Sequence, residues 1–245
     1  MKPWPYPRVI AHRCGGVMAP ENTLAGLRAA ARAGLRAVEF DVMLSADGTP
    51  FLIHDETLER TTDGQGRVAE THDAVLRSLD AGIRSGAEFA GERLPGLDEA
   101  IAACYALGLW ANVEIKPARG HERQTGEVIA RTLGALWRGE PPLVSSFSVR
   151  ALEAARGLAP ALPRALLVED LGGEWRETAA GLGCVSIHTD AARLAPGEIE
   201  AVHEAGFWLA AYTVNDPGEA RRLLDSGLDA IFTDRPDDGV GSLSR

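Results

Sequence analysis

The sequence is poor in the features that mark several large protein classes. No apolar run approaches the 18 residues that a membrane-crossing helix needs, so no membrane span is expected. Only three cysteines occur, Cys14, Cys104 and Cys184, 80 or more positions apart, which matches no disulfide framework, zinc spacing or redox pair. The opening Met1-Lys2-Pro3-Trp4-Pro5-Tyr6-Pro7 lacks the apolar segment of a secretory leader. Together these point to a reducing compartment, and a cytoplasmic location is the expectation. Basic charge is scarce: 25 Lys+Arg stand against 35 Asp+Glu, a net charge of −10, so a nucleic-acid partner is not expected. A P-loop, a Gly-x-Ser-x-Gly elbow and a glycine-rich dinucleotide fingerprint are all absent. His12 is followed by Arg13-Cys14, not by x-His, which argues against a zinc amidohydrolase-type site. The 27 glycines and 14 prolines are too few for a low-complexity chain yet enough for many short loops.

What is present is alternation. A chain of 245 residues suits one large α/β unit, burying about 70–75% of its unfolded surface without a staple. Short apolar runs at 8–12, 37–42, 110–115, 143–147, 164–168, 184–188, 207–214 and 229–233 predict strands. Amphipathic stretches at 23–33, 97–107, 122–137, 149–158, 174–181, 197–205 and 217–226 predict helices between most of them. Eight such strands in this length fit a (β/α)8 TIM barrel, with an open doubly wound sheet second. Two segments depart from the repeat. Extended runs around Asp47-Gly48 make 37–55 a hairpin after the second strand. Residues 56–95 carry one helical fragment, 73–79, and are expected as an insertion over the barrel mouth within a single domain, 1–245.

Parallel strands buried on both faces should be apolar throughout. Several here break that rule at their C-terminal ends, where barrel active sites form: His12-Arg13, Glu39 and Asp41, Asn112-Val113-Glu114-Ile115-Lys116, Ser146, His188 with Asp190, Thr213 with Asn215, and Thr233 with Asp234. Strand alternation puts Glu39 and Asp41 on one face of their strand, opposite Val38, Phe40 and Val42, and by the same period Asn112, Glu114 and Lys116 share a face of theirs. A turn of even length after Leu44 would return His54 to the face of the two acids; an odd one would reverse it. Crowded carboxylates repel unless a positive charge sits among them, and oxygen-only ligation suits Mg2+ or Ca2+. Arg13 can grip phosphate oxygens with its fork while Lys116 acts as a point charge. Two histidines can move protons near neutral pH. The combination fits metal-assisted phosphoester hydrolysis.

The ordered set His12-Arg13, Pro20-Glu21-Asn22-Thr23, Glu39-Phe40-Asp41, His54-Asp55, Glu88 to Pro95, Glu114-Ile115-Lys116, Tyr212-Thr213-Val214-Asn215 and Thr233-Asp234 resembles the glycerophosphodiester phosphodiesterase family over nearly the whole chain. It looks most similar to the short cytoplasmic bacterial members. The resemblance implies a (β/α)8 barrel that cleaves small glycerophosphodiesters to glycerol 3-phosphate and an alcohol, as a monomer or homodimer. It implies that Glu39, Asp41 and Glu114 bind one divalent cation, Mg2+ or Ca2+, that His12 and His54 are the general acid–base pair, and that Arg13 and Lys116 hold phosphate. Cys14 stands where the family usually has Gly, and Tyr212 where Trp is frequent; Gly15 and Gly16 are the neighbours able to supply backbone freedom. Direct attack by water and a cyclic phosphate intermediate both remain open, as does which histidine is acid and which base. Other readings are a phospholipase-type enzyme acting on lysophospholipids and a non-catalytic phosphate-ester-binding barrel. Asn22 is expected to cap the helix starting at Thr23, Asn215 and Asp234 to organise backbone at the rim, and His188 to be either a pocket wall or a satisfied structural histidine. His72, His121 and His203 are expected to stand apart from the site.

Overall fold

Strands that must lie between helices and a barrel interior need apolar side chains on both faces, and most of this chain's strands have them. The computed structural model describes residues 3–237 and 239–240, so residues 1–2, 238 and 241–245 of the expected domain lie outside the described residues. Strands β1 (Val9–Ala11), β2 (Ala37–Leu44), β4 (Trp110–Ile115), β5 (Leu143–Ser146), β6 (Arg164–Val168), β7 (Ser186–Asp190), β8 (Trp208–Tyr212) and β9 (Ala230–Thr233) pair in parallel, while β3 (Pro50–Leu52) pairs antiparallel with β2. Because β1 pairs with both β9 and β2, the eight parallel strands close into a barrel. Helices α1 (Leu24–Arg32), α3 (Leu97–Leu107), α4 (Glu122–Leu136), α5 (Val149–Leu158), α6 (Trp175–Leu182), α7 (Glu198–Glu204) and α8 (Pro217–Asp225) surround it, and the short α2 (Asp73–Leu76) lies in the long connection. This is the (β/α)8 architecture that the alternation predicts. No helix among the described residues is long and apolar enough to cross a membrane.

Alternation along each strand sorts the side chains into two apolar layers. Val38, Phe40, Val42, Val113, Ile115 and Leu209 face outward and pack with Leu27, Ile101, Ile129 and Leu152 of the helices. Ile10, Ala37, Trp110, Leu143, Ala165, Ala210 and Ala230 fill the interior instead. The segment before β1 closes the floor: Tyr6 stacks on Trp110 with ring centroids 4.2 Å apart, and Trp4 meets Tyr6 edge-on at 5.1 Å. The other end of the barrel is left open.

Three local departures from expectation have physical causes. The strand expected at 184–188 starts two residues later, because the left-handed Gly183 ends α6 and the Cys184 amide still donates to the Ala179 carbonyl. That bond commits the apolar Cys184 to the helix terminus.

The hairpin turn is odd, not even. Val42 pairs with Leu52 and Leu44 with Pro50, leaving five residues, 45–49, in the turn. Ser45 Oγ accepts from both the Asp47 and Thr49 amides, drawing Thr49 into the turn. Ile53, whose amide donates to the Asp41 carbonyl, therefore occupies the place expected for His54. His54 reaches the barrel mouth only because β3 has already ended at Leu52 and the chain bends inward.

The 56–95 connection is folded. Leu58, Val68, Leu76, Leu79, Ala81 and Leu94 bury themselves with Met43, Phe51 and Ile53 of the hairpin. Isolated antiparallel bridges pair Thr57 with Arg67 and Asp80 with Arg93. Its helix is shorter than expected, Asp73–Leu76 in place of 73–79.

Candidate active site

A cavity of about 250 Å³ opens at the C-terminal end of the barrel strands, where side chains from different strands converge. His12, Arg13, Glu39, Asp41, His54, Glu114 and Lys116 all line it, although they come from four separate stretches of chain.

Glu39 and Asp41 project from β2 and Glu114 from β4, which pairs with β2 so that Asp41 lies beside Glu114. Glu39 is 3% exposed and Asp41 1%, and oxygens of all three carboxylates fall within 4.8 Å of one another. Burial, then the charges of Asp41 and Glu114, push the Glu39 carboxyl well above its usual range. Burial and Asp41 likewise raise the Glu114 carboxyl to about 7. Burial acts the same way on Asp41, but Lys116, His54 and an Asn22 hydrogen bond outweigh it and hold that carboxyl low. Glu39 Oε1 and Asp41 Oδ1 are buried without a hydrogen-bond donor. Oxygen donors at this spacing, two of them unsatisfied, fit a hard divalent cation.

Positive charge already stands among these acids. Lys116 Nζ lies 3.4 Å from Glu114 Oε1 and 3.5 Å from Asp41 Oδ1, and 2.7 Å from His54 Nε2. Arg13 Nε lies 3.9 Å from Asp41 Oδ2, and the Arg13 amide donates to Glu39 Oε2 at 2.9 Å.

The loop after β1 is bent to make these contacts. Arg13, Cys14 and Asn22 adopt left-handed φ angles of 50°, 75° and 56°, which non-glycine residues sustain only where neighbours fix them. The Cys14 amide donates to the Glu39 carbonyl at 2.6 Å. Asn22 does not cap α1; Thr23 does, its Oγ1 accepting from the Gly26 amide. Asn22 Nδ2 instead donates to Asp41 Oδ2 at 2.9 Å while its Oδ1 accepts from the Asp41 amide at 3.0 Å. Gly16, with φ 57°, packs so closely that an added Cβ would lie 2.1 Å from the Asp234 carbonyl oxygen.

Each histidine is held by its own carboxylate. His12 Nδ1 lies 2.7 Å from Asp234 Oδ1, and His54 Nδ1 lies 2.6 Å from Asp55 Oδ1. Asp234 is fixed in turn by Asn215, whose Oδ1 accepts from the Asp234 amide at 2.8 Å and whose Nδ2 donates to Oδ2 at 3.3 Å. The His12 bond holds the Asp234 carboxyl low, and Arg60 with His54 does the same for Asp55. His54 itself is pulled below its usual range, mainly by burial. Arg60 forks onto two acids: it donates to Asp55 at 2.5 and 3.0 Å and to Glu21 at 2.7 and 2.9 Å. Glu21 also accepts from Arg13 Nη1 at 3.1 and 3.2 Å. Both imidazoles thus turn Nε2 toward the cavity: that of His12 lies 3.9 Å from Glu39 Oε2, and that of His54 meets Lys116.

Sequence reasoning missed Arg60, and it placed Asp234 only as a rim residue. The adjacent His54-Asp55 pair was a usable signal; Asp234, 222 positions from His12, carried none. His72 pairs with Asp47 and His203 with Asp229, and neither lines the cavity.

Residues 12–238 match the model of the glycerophosphoryl diester phosphodiesterase family. The glycerophosphodiester phosphodiesterase of Caldanaerobacter subterraneus subsp. tengcongensis is 33% identical over 94% of each chain. Among solved structures, an Oleispira antarctica phosphodiesterase in complex with the product sn-glycerol-3-phosphate superposes with a TM-score of 0.92 at 38% identity, over 98% of this chain and 97% of that one. The glycerophosphodiester phosphodiesterase of Agrobacterium tumefaciens strain C58 gives 0.79 at 29% identity, over 96% of this chain and all (100%) of its own.

Proposed function

The chain belongs to the glycerophosphoryl diester phosphodiesterase family, and on that footing we propose that it is a divalent-metal-dependent hydrolase that cleaves small glycerophosphodiesters to glycerol 3-phosphate and an alcohol. The observation that carries this reading is the pair of histidine–aspartate dyads facing one cavity beside three clustered carboxylates. Residues 1–245 act as one cytoplasmic barrel domain, with 56–95 flanking the mouth through Arg60.

Glu39, Asp41 and Glu114 would hold Mg2+ or Ca2+, which when bound supplies positive charge to neutralise and polarise the phosphate. Arg13 and Lys116 grip the phosphate oxygens, the first already oriented by Glu21. Asp55 keeps a proton on His54 Nδ1, so Nε2 is bare, and Lys116 donating to it requires the same tautomer. A bare Nε2 with a lowered proton affinity suits the base that takes a proton from the attacking oxygen. His12, with the ionised Asp234 behind Nδ1, suits the imidazolium that gives a proton to the leaving alcohol through Nε2. His54 then loses its proton to solvent and His12 regains one, which returns both to their starting states.

The test is release of ethanolamine and glycerol 3-phosphate from glycerophosphoethanolamine with added Mg2+, with excess chelator, and for His54→Ala. Chelator should abolish turnover, and the substitution should lower it by about 10² or more. Undiminished activity in His54→Ala, or full activity in chelator, would sink the mechanism.

A further inference from the structure

Beside the catalytic cavity lies a second hollow that the reaction above does not use, of about 460 Å³ against about 250 Å³ for the cavity itself. Arg13 lines both, so the two spaces meet at a residue assigned to the phosphate. Asp234, which holds His12, borders the second hollow as well. Val17 and Phe89 supply apolar surface there.

Its charge runs against that of the chain. Arg13, Arg60 and Arg84 line it against two carboxylates, Glu21 and Asp234, in a protein of net charge −10. Arg13 and Arg60 are already committed, since Glu21 accepts from both and Asp55 accepts from Arg60. Arg84 is different. It pairs with no carboxylate among the described residues, and its hydrogen bond to the Glu59 carbonyl is long, 3.4 Å. An exposed guanidinium needs no partner in water, so what marks Arg84 is where the fold holds it. Asp80 accepts from the Gly82 and Gly91 amides at 2.8 Å each, which ties the two ends of the loop carrying Arg84. Gly82 packs against the Phe89 carbonyl with no room for a Cβ. Glu92 fastens the same loop to α1 by accepting from the Ala25 amide at 2.9 Å.

We propose that this hollow takes the leaving alcohol of the ester, and that Arg84 selects alcohols that carry a carboxylate. The proposal rests on the glycerophosphodiester reading above and names a substrate class for it. In that reading His12 protonates the leaving oxygen, and the hollow bordered by Asp234 and Arg13 is the space next to that event. The hollow on the Lys116 flank, next to His54, has Glu56, Glu114 and Glu122 against Lys116 and Arg119, and so no excess of positive charge. A guanidinium meets a carboxylate through two parallel N–H donors, whereas it repels an ammonium.

The experiment compares kcat/KM for glycerophosphoserine and glycerophosphoethanolamine, whose alcohols differ by one carboxylate. The Mg2+-loaded wild type is set beside Arg84→Ala, Arg84→Lys and Arg84→Glu. Wild type should favour the serine ester by about fivefold, the scale of an exposed ion pair, and high salt should shrink that preference. Arg84→Ala should bring the ratio close to unity, Arg84→Lys should keep part of it, and Arg84→Glu should invert it. A wild type without preference, a preference that survives in Arg84→Ala, or equal loss on both esters would overturn the inference. In each of those cases wild-type turnover of the ethanolamine ester leaves the reaction itself standing; a wild type that cleaves neither ester removes both.

Discussion

His12 and Asp234 stand 222 residues apart in the chain and 2.7 Å apart in space, so the end of the first strand is bonded to the residue just after the last. Only one nitrogen of His12 is thereby left for chemistry. Asp234→Asn should keep the fold, since Asn215 still holds the backbone amide at position 234, but it loses the charge that fixes the tautomer and steadies an imidazolium. Steady-state kinetics should show kcat lowered by about 10² or more with a melting temperature close to wild type.

Arg60 serves the site at one remove. Its fork ties Asp55, which holds His54, to Glu21, which holds Arg13. Arg60→Ala should therefore lower kcat and raise KM together, each by several-fold or more. Arg60→Lys should rescue little, because a single ammonium cannot serve two carboxylates bidentately. Added guanidinium should restore part of the activity of Arg60→Ala; no recovery in kinetic assays would mean that the arginine serves only to fold the connection.

Protons would compete with a bound cation for the acidic cluster. Burial and Asp41 raise Glu114 to about 7, so below that pH a cation must displace a proton from it. Affinity for Mg2+ or Ca2+ should rise with pH through about 7, with proton uptake by buffer detectable in calorimetry. The sign for stability is the reverse in chelator. A carboxyl that binds its proton more tightly folded than unfolded makes the metal-free protein lose stability as pH rises from about 4.5 toward 7. Added cation should return it, and melting curves at several pH values check both trends.

All three cysteines are free and buried. Burial pushes the thiols of Cys104 and Cys184 up to about 12 and that of Cys14 well above its ordinary value. Cys14, despite its place beside the catalytic loop, should therefore be inert. A thiol reagent at neutral pH should label none of the three in native protein and all three in denaturant. Rapid native labelling with loss of activity would show that the loop after β1 opens.

The barrel was legible because its signal is local. Each strand reads as a run such as 164–168 and each helix as a periodic stretch such as 149–158, and both of these have the predicted bounds. The polar residues at strand ends were legible for the same reason, since they interrupt apolar runs. Register was less accessible. Whether the hairpin turn holds four residues or five depends on the hydroxyl of Ser45, and that one residue moved His54 out of the expected pairing. Asn22 misled in a similar way: its place before a helix suggested a cap, while its side chain was committed to Asp41. Partnerships such as His12–Asp234 and Glu21–Arg60 arise only when the barrel closes or the connection folds back, so no spacing in the sequence announces them.

Tyr6 stacked on Trp110 gives the barrel a sealed base, which makes the cavity a blind alley with one entrance. Traffic through a single opening imposes an order. An ester and both products of its cleavage would have to pass the same opening, so a product that lingers there would exclude the next ester. The aromatic stopper at the far end of the barrel would thus set how turnover responds to accumulated product.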